Sequence, residues 1–316
     1  VKDMPASKEI SAEDSILSIE LGPLKLKNPV LAASGTFGYG EEYADLVPLK
    51  RLGGFITKGL SLEPRLGNKP PRLAETPCGL LNAIGLENIG LQNFLKQKLP
   101  FLRKAPCAVL VNIFGSKVQE YVELASRLTD AGGISGLEIN ISCPNVEAGG
   151  VIFANEPRVV YRVVSKIRRA TPLFLMVKLS PNVTDIQKIA LAAAEAGADA
   201  LSLINTVFGM AIDIQTRTPL LGNITGGLSG PAIKPIGVRM VWQVAKSVRI
   251  PIVGVGGIAS AADALEYIIA GASAVQVGSA HFVDPGISIK IVEGIKTYLQ
   301  EQQIPNLKAL IGSLQV

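Results

Sequence analysis

Histidine is almost missing from this chain: His281 is the single one among 316 residues. That argues against histidine-based metal sites and against a protease-type Cys–His pair, and His281 itself is expected to be structural. Cysteine is scarce too. Cys78, Cys107 and Cys143 make neither a disulfide framework nor a paired metal motif, which points to a reducing cytoplasm. No apolar run approaches the ~20 residues of a membrane helix; the longest, such as 107–114 and 173–177, stop far short. Residues 1–15 are polar and lack the apolar core of a signal peptide, so 1–16 reads as a flexible leader and 17–316 as one domain. The net charge of +5 is spread thinly, with no basic stripe interleaved with aromatics. Nucleic acid is thereby a poor partner. Internal repeats and low-complexity segments are absent as well.

What is present is apolar material for a large core. Hydrophobic residues make up 48% and charged residues 18%, which excludes a disordered chain. Residues 18–27 read as a hairpin turning at Gly22-Pro23, a lid for one end of the domain. Beyond it, eight β-rich runs (30–33, 54–58, 108–113, 136–141, 173–179, 200–205, 251–255 and 274–277) alternate with helical stretches. They are continuously apolar, as parallel strands buried on both faces are. Ser116 to Gln119 and Thr184 to Gln187 fit the capping box, and Ser260 fits an N-cap. Gly132, Gly197 and Gly271 sit where helices should stop. Eight strand–helix units are the number that closes a (β/α)8 TIM barrel. The alternative, a doubly wound sheet, wants a dinucleotide turn that Ser34 to Gly38 does not supply. Two long connections, 61–88 and 207–230, are expected to cover the C-terminal face of the barrel.

Function is read from how the strands end. Seven end at Ser34-Gly35, Lys58-Gly59, Asn112, Asn140, Lys178, Asn205-Thr206 and Gly278-Ser279, and the run through Gly254 ends in Gly256-Gly257. In a barrel all these ends face one bowl. The paired glycine turns after strands seven and eight offer bare N–H groups to a phosphate. Lys58 and Lys178 need an anion or polar partner to be tolerated in buried strands. One reading is a Schiff-base lysine, as in barrel aldolases; the other is a cation beside an electron-rich ring. Asn82, Asn112, Asn140, Asn145 and Asn205 together suit a planar ligand with alternating C=O and N–H groups, such as a pyrimidine. Cys143, in a polar Asn/Ser loop, reads as reactive, whereas Cys78 and Cys107 read as inert core residues.

These motifs resemble the dihydroorotate dehydrogenases of the cytosolic class over roughly residues 17–299. The resemblance is carried by NPVLAASGTFGYG, ITKGLSLEPRLGNKPPR, LLNAIGLENIG, NISCPN, VKLSPN, INT, GGLSG, GVGGI and QVGSA, in family order. It implies that FMN is contacted by Ser34, Lys58, Gly59, Asn112, Asn140, Lys178, Ile204, Gly230, Gly256, Gly257, Gly278 and Ser279. It implies that dihydroorotate is surrounded by Lys58, Asn82, Ala83, Ile84, Gly85, Leu86, Asn140, Asn145, Asn205 and Thr206. Cys143 would be the base at C5, with Lys178 also in the catalytic set. The NAIGLENIG form resembles the NAD-linked subgroup, in which a homodimer of barrels works in a heterotetramer with a subunit bearing FAD and an iron–sulfur cluster. A fumarate-using homodimer, a barrel lyase or aldolase using Lys178, and an idle flavin-binding subunit are the alternatives.

Overall fold

In a computed structural model, residues 16–141, 144–145, 151–152 and 156–315 are described. Residues 1–15 of the expected leader and Cys143 lie outside the described residues, while Ile16 packs on the core and its carbonyl accepts from the N–H of Leu307.

Eight short aliphatic runs form the barrel strands β1 (Val30–Ala32), β2 (Gly54–Ile56), β3 (Ala108–Ile113), β4 (Gly136–Asn140), β5 (Phe174–Leu179), β6 (Ala200–Leu203), β7 (Ile252–Val255) and β8 (Ala274–Val277). Each is parallel to the next, and β8 returns to β1 to close the barrel. This is the (β/α)8 barrel expected from the sequence; a doubly wound sheet would be open. Helices Val118–Ala131, Pro157–Ala170, Ile186–Glu195, Lys234–Ala245, Ala261–Ile269 and Ile287–Glu301 wrap the strands, and after β2 a helical rod runs Gly90–Asn93, Phe94–Lys98, Leu99–Leu102 with a π turn at its centre. None of them is long and apolar enough to cross a membrane.

The first unit departs from expectation. After β1 the chain makes only 3-10 turns, Glu41–Tyr43 and Leu49–Arg51. Gly38 and Gly40 both take positive φ there, and a Cβ on Gly40 would stand 2.5 Å from the ring of Phe55. A regular helix cannot start on such backbone. Two expected capping boxes also resolve differently. Ser116 gives its N–H to Glu120 and accepts from Arg65 at 3.0 Å, leaving Lys117 as N-cap without a side-chain bond. Beside Thr184 it is Asp185 that caps, accepting from the N–H groups of Gln187 and Lys188, because a carboxylate is the better acceptor at the positive helix end. Ser260 caps as expected, 3.2 Å from the N–H of Asp263, and Gly132, Gly197 and Gly271 stop their helices at positive φ.

Side chains along a strand alternate inward and outward. The inward set at the N-terminal end is apolar: Leu31, Ile56, Leu110, Met176, Ala200, Val253 and Ala274 form one buried cluster. The hairpin, Ile19–Leu21 paired with Leu24–Leu26, adds Ile19, Leu21 and Leu26 to that cluster and plugs this end. Two residues further along, the inward set turns polar: Asn112, Lys178, Ser202 and Gln276, all buried. The other end of the barrel carries the site. Both long connections fold there into one antiparallel sheet, ordered Val207–Met210, Thr225–Ser229, Gly79–Asn82, Leu73–Thr76, which roofs the mouth.

If the hairpin is a plug, Leu26→Ala, which removes a side chain only 2% exposed, should cost about 2–5 kcal/mol of unfolding free energy. Ligand affinity of the folded protein should stay unchanged, because the mouth is at the opposite end. Denaturant titration beside a ligand titration tests both; a loss of affinity without a loss of stability contradicts the plug.

Candidate active site

Barrel and roof enclose a cavity of about 1220 Å³. That exceeds the ~300–1,000 Å³ usual for one small ligand, so a cofactor and a second molecule fit side by side. All twelve residues expected at the cofactor border this one cavity: Ser34, Lys58, Gly59, Asn112, Asn140, Lys178, Ile204, Gly230, Gly256, Gly257, Gly278 and Ser279. So do Asn82, Ala83, Ile84, Gly85, Leu86, Asn205 and Thr206 from the expected substrate set. Asn145 lies in a short strand, Pro144–Asn145, paired with Val151–Ile152; its side chain, like Cys143, is outside the described residues.

One wall is built of backbone. Gly230, Gly256 and Gly257 have φ of +95°, +121° and +69°. A Cβ on Gly257 would lie 2.8 Å from the carbonyl oxygen of Gly230, so the two loops approach as closely as glycine permits. Across from them, a Cβ on Gly278 would meet nothing nearer than 3.7 Å. Among the described residues the N–H groups of Gly256 and Gly257 are not taken by a backbone carbonyl. Lys234, whose stem packs on Gly257, has its ammonium held by Asp263 at 2.7 Å and Glu266 at 2.6 Å, which keeps its pKa raised. An anion here therefore meets free backbone N–H groups, an arrangement suited to phosphate.

The floor is polar and buried. Lys178 is 6% exposed and donates to Ser34 Oγ at 3.0 Å. Asn112 points its amide at Glu138 Oε2, 2.6 Å away. Asn140 is steadied by Tyr121, whose hydroxyl donates to the Asn140 carbonyl at 2.7 Å. Asn182 clamps the loop after β6, donating to the Thr206 carbonyl at 2.9 Å and accepting from the N–H of Phe208 at 3.0 Å. Under the roof, Asn88 accepts from the N–H groups of Ser61 and Gly90 and donates to Ser61 Oγ and the Leu86 carbonyl, while Asn68 donates to the Ala83 carbonyl at 3.0 Å. Residues 82–88 are thus pinned by two amides, Asn68 and Asn88, that carry no strand-end signal in the sequence.

Glu138 was passed over as well, although it is wholly buried inside the barrel. A charged residue between Leu137 and Ile139 in a strand buried on both faces was the available signal. Cys78 was misread: it is exposed, in the turn between two roof strands, at φ +66° and on the cavity wall. Cys107 fits its expected inert role, since burial pushes its thiol up to about 12. His281 is structural, as expected. It is buried, which lowers its pKa; Nδ1 lies 3.1 Å from the Gly278 carbonyl and Nε2 2.9 Å from Ser288 Oγ. The neutral tautomer with its proton on Nδ1 satisfies both contacts.

The family model described as dihydroorotate dehydrogenase matches residues 16–299. The catalytic subunit of dihydroorotate dehydrogenase B (NAD(+)) from Geotalea uraniireducens is 56% identical over 298 residues, covering 94% of this chain and 98% of that one. The protein of the same name from Geobacter metallireducens is 57% identical over 300 residues, covering 95% and 98%. A barrel with this cavity, matched along nearly its whole length, belongs to the dihydroorotate dehydrogenase family of oxidoreductases.

Proposed function

We propose that this chain oxidises dihydroorotate to orotate in pyrimidine biosynthesis, using FMN in the cavity and delivering electrons to NAD through a second subunit that carries FAD and an iron–sulfur cluster. The observation that carries this reading is the meeting, in one cavity, of a glycine-built anion cradle with a buried lysine and a set of amides. The cradle at Gly256, Gly257, Gly278 and Ser279 suits the FMN phosphate, with Gly230 completing its wall. Ser34, Gly59, Asn112, Asn140 and Ile204 suit the ring, with Lys178 and Lys58 as nearby cations. Asn82 to Leu86, Asn205 and Thr206, with Asn145, suit the pyrimidine. When bound, the flavin supplies a two-electron acceptor for the hydride that leaves C6 of the substrate.

Cys143 follows the end of β4 by three residues and is proposed as the base that takes the proton from C5. A free thiol of ordinary pKa ~8.5 is about 3% ionised at pH 7, far more than a serine hydroxyl. Lys178 is proposed to favour negative charge on the ring beside it. Its Nζ donates to Ser34 Oγ and lies 3.8 Å from Glu138, and the glycine cradle and amides around the same cavity favour the flavin reading over the lyase and aldolase ones. The names of the relatives favour NAD over fumarate as final acceptor. Three cysteines cannot ligate a four-cysteine cluster, so the cluster belongs on the partner. We further propose residues 17–316 as a single catalytic domain, a cytoplasmic location, and two barrels with two partners in the assembly.

Three measurements test this. Gly257→Ala forces a Cβ against the Gly230 carbonyl, so FMN affinity should fall at least tenfold while affinity for riboflavin, which lacks the phosphate, stays put; equal losses contradict the cradle. Cys143→Ala should slow single-turnover flavin reduction by roughly 10²–10⁴-fold, the share of a positioned base, with FMN retained. An unchanged rate makes another residue the base. Finally, the purified chain should reduce artificial dyes with dihydroorotate but not NAD, and co-expression with a ferredoxin-reductase-like subunit should restore NAD reduction. Efficient reduction of NAD or fumarate by the chain alone would overturn the partner while leaving the dihydroorotate assignment standing.

A further inference from the structure

Beneath the cavity floor, Glu138 joins strands that are not neighbours in the barrel. Its Oε1 accepts from Ser202 Oγ at 2.9 Å and from Gln276 Nε2 at 2.8 Å; its Oε2 accepts from Asn112 Nδ2 at 2.6 Å and faces Lys178 Nζ at 3.8 Å. The partners come from β6, β8, β3 and β5, so one carboxylate on β4 ties together five of the eight strands. Every partner presents a hydrogen-bond donor. A carboxylate accepts at both oxygens, whereas a carboxylic acid needs an acceptor for its own O–H. Gln276 shows which form the site is built for. Its amide turns the N–H side to Glu138, although this leaves its own buried Oε1 without a partner among the described residues.

A fully buried negative charge is costly unless a cation and hydrogen bonds answer it. Here the cation is Lys178, whose Nζ lies 3.8 Å from Glu138 Oε2. Lys58 borders the same cavity, while Glu75, Glu87 and Asp284 also border it from the roof and outer connections. Asn112 and Lys178 both border the cavity, and the same carboxylate oxygen accepts from the Asn112 amide and stands 3.8 Å from the Lys178 Nζ. A rigid partner of this kind places a charged group far more narrowly than a flexible lysine stem can by itself.

We propose that Glu138 is a positioning residue and the counter-charge of Lys178: it holds the ammonium and the Asn112 amide at the cavity floor, and it limits the positive potential that a ring bound above them feels. Resting on the flavin reading, the consequence is a redox potential set by the Lys178–Glu138 pair rather than by Lys178 alone. Glu138 touches neither ring nor substrate and acts through its two neighbours.

The test is a double-mutant cycle read as the flavin midpoint potential of the FMN-loaded chain. Glu138→Gln should raise the potential, because removing the negative charge leaves Lys178 uncompensated beside the anion that reduction creates. The expected shift is at least tenfold in the equilibrium between the two redox forms, ~30 mV for a two-electron couple. In a Lys178→Met background the same change should shift it by less than a third as much. Ser202→Ala, which removes a hydrogen bond but no charge, should leave the potential in place whatever it does to stability. Equal shifts in both backgrounds, no shift, or an equal shift from Ser202→Ala overturn the proposal. Should Glu138→Gln not fold, Glu138→Asp draws the charge back by one methylene and should raise the potential in the same direction by a smaller amount; a wild-type value with wild-type kcat overturns it. A wild-type chain that binds no FMN would instead defeat the flavin reading itself.

Discussion

In a closed parallel barrel every strand runs the same way, so each delivers its C-terminal residue to one rim, and along each strand every second side chain points inward. The consequences run through the whole molecule. Leu110, Met176, Ala200 and Ala274 fill the lower interior, and Asn112, Lys178, Ser202 and Gln276 follow them two residues later at the level of the site. A shift of register by one residue in any of these strands would exchange its inward and outward sets, burying a polar group among the helices.

A polar layer inside a barrel is expensive, and this one is tolerated because its charges answer one another. Glu138 and Lys178 are both nearly inaccessible, and removing either partner of a buried pair typically costs about 3–5 kcal/mol. The plug beneath lets that layer exist. Ile19, Leu21 and Leu26 pack with Leu31 and Met176 in one buried cluster at the far end, so apolar side chains back the polar groups on that side. At the mouth the roof sheet, built from two connections distant in sequence, joins through Asn82, which donates to the Gly227 carbonyl at 3.1 Å. Barrel, plug and roof thus divide the labour: one presents the groups, one fills the far end, and one covers the mouth.

Much of this was legible in the chain. The barrel strands are predominantly apolar runs, because they are buried on both faces, and most are closed by a residue that packing does not call for. Barrel, bowl and glycine cradle follow from those two facts, and so do Asn112, Asn140 and Asn205 on the cavity wall, whereas Asn68, which also lines it, closes no strand. The turn chemistry was partly legible: Ser260 caps as its sequence says, but Asp185 takes the cap from Thr184 because two adjacent acceptors compete and the carboxylate wins.

The features legible in the chain are therefore local or periodic: strand identity, helix stops, the polar endings and the family motifs. Closure of the barrel settles which side of a doubly buried strand faces the interior, and which distant strands meet there. An apolar run such as Gly136 to Asn140 carries no alternation to show that Glu138 points inward, and its contact with Gln276 spans 138 residues of chain. Cys78 was misjudged for the same reason, since its exposure depends on where the roof lies and not on its neighbours in sequence. Partners that lie far apart in sequence leave no local pattern, so a buried charge and its answering groups become visible only once the barrel is closed.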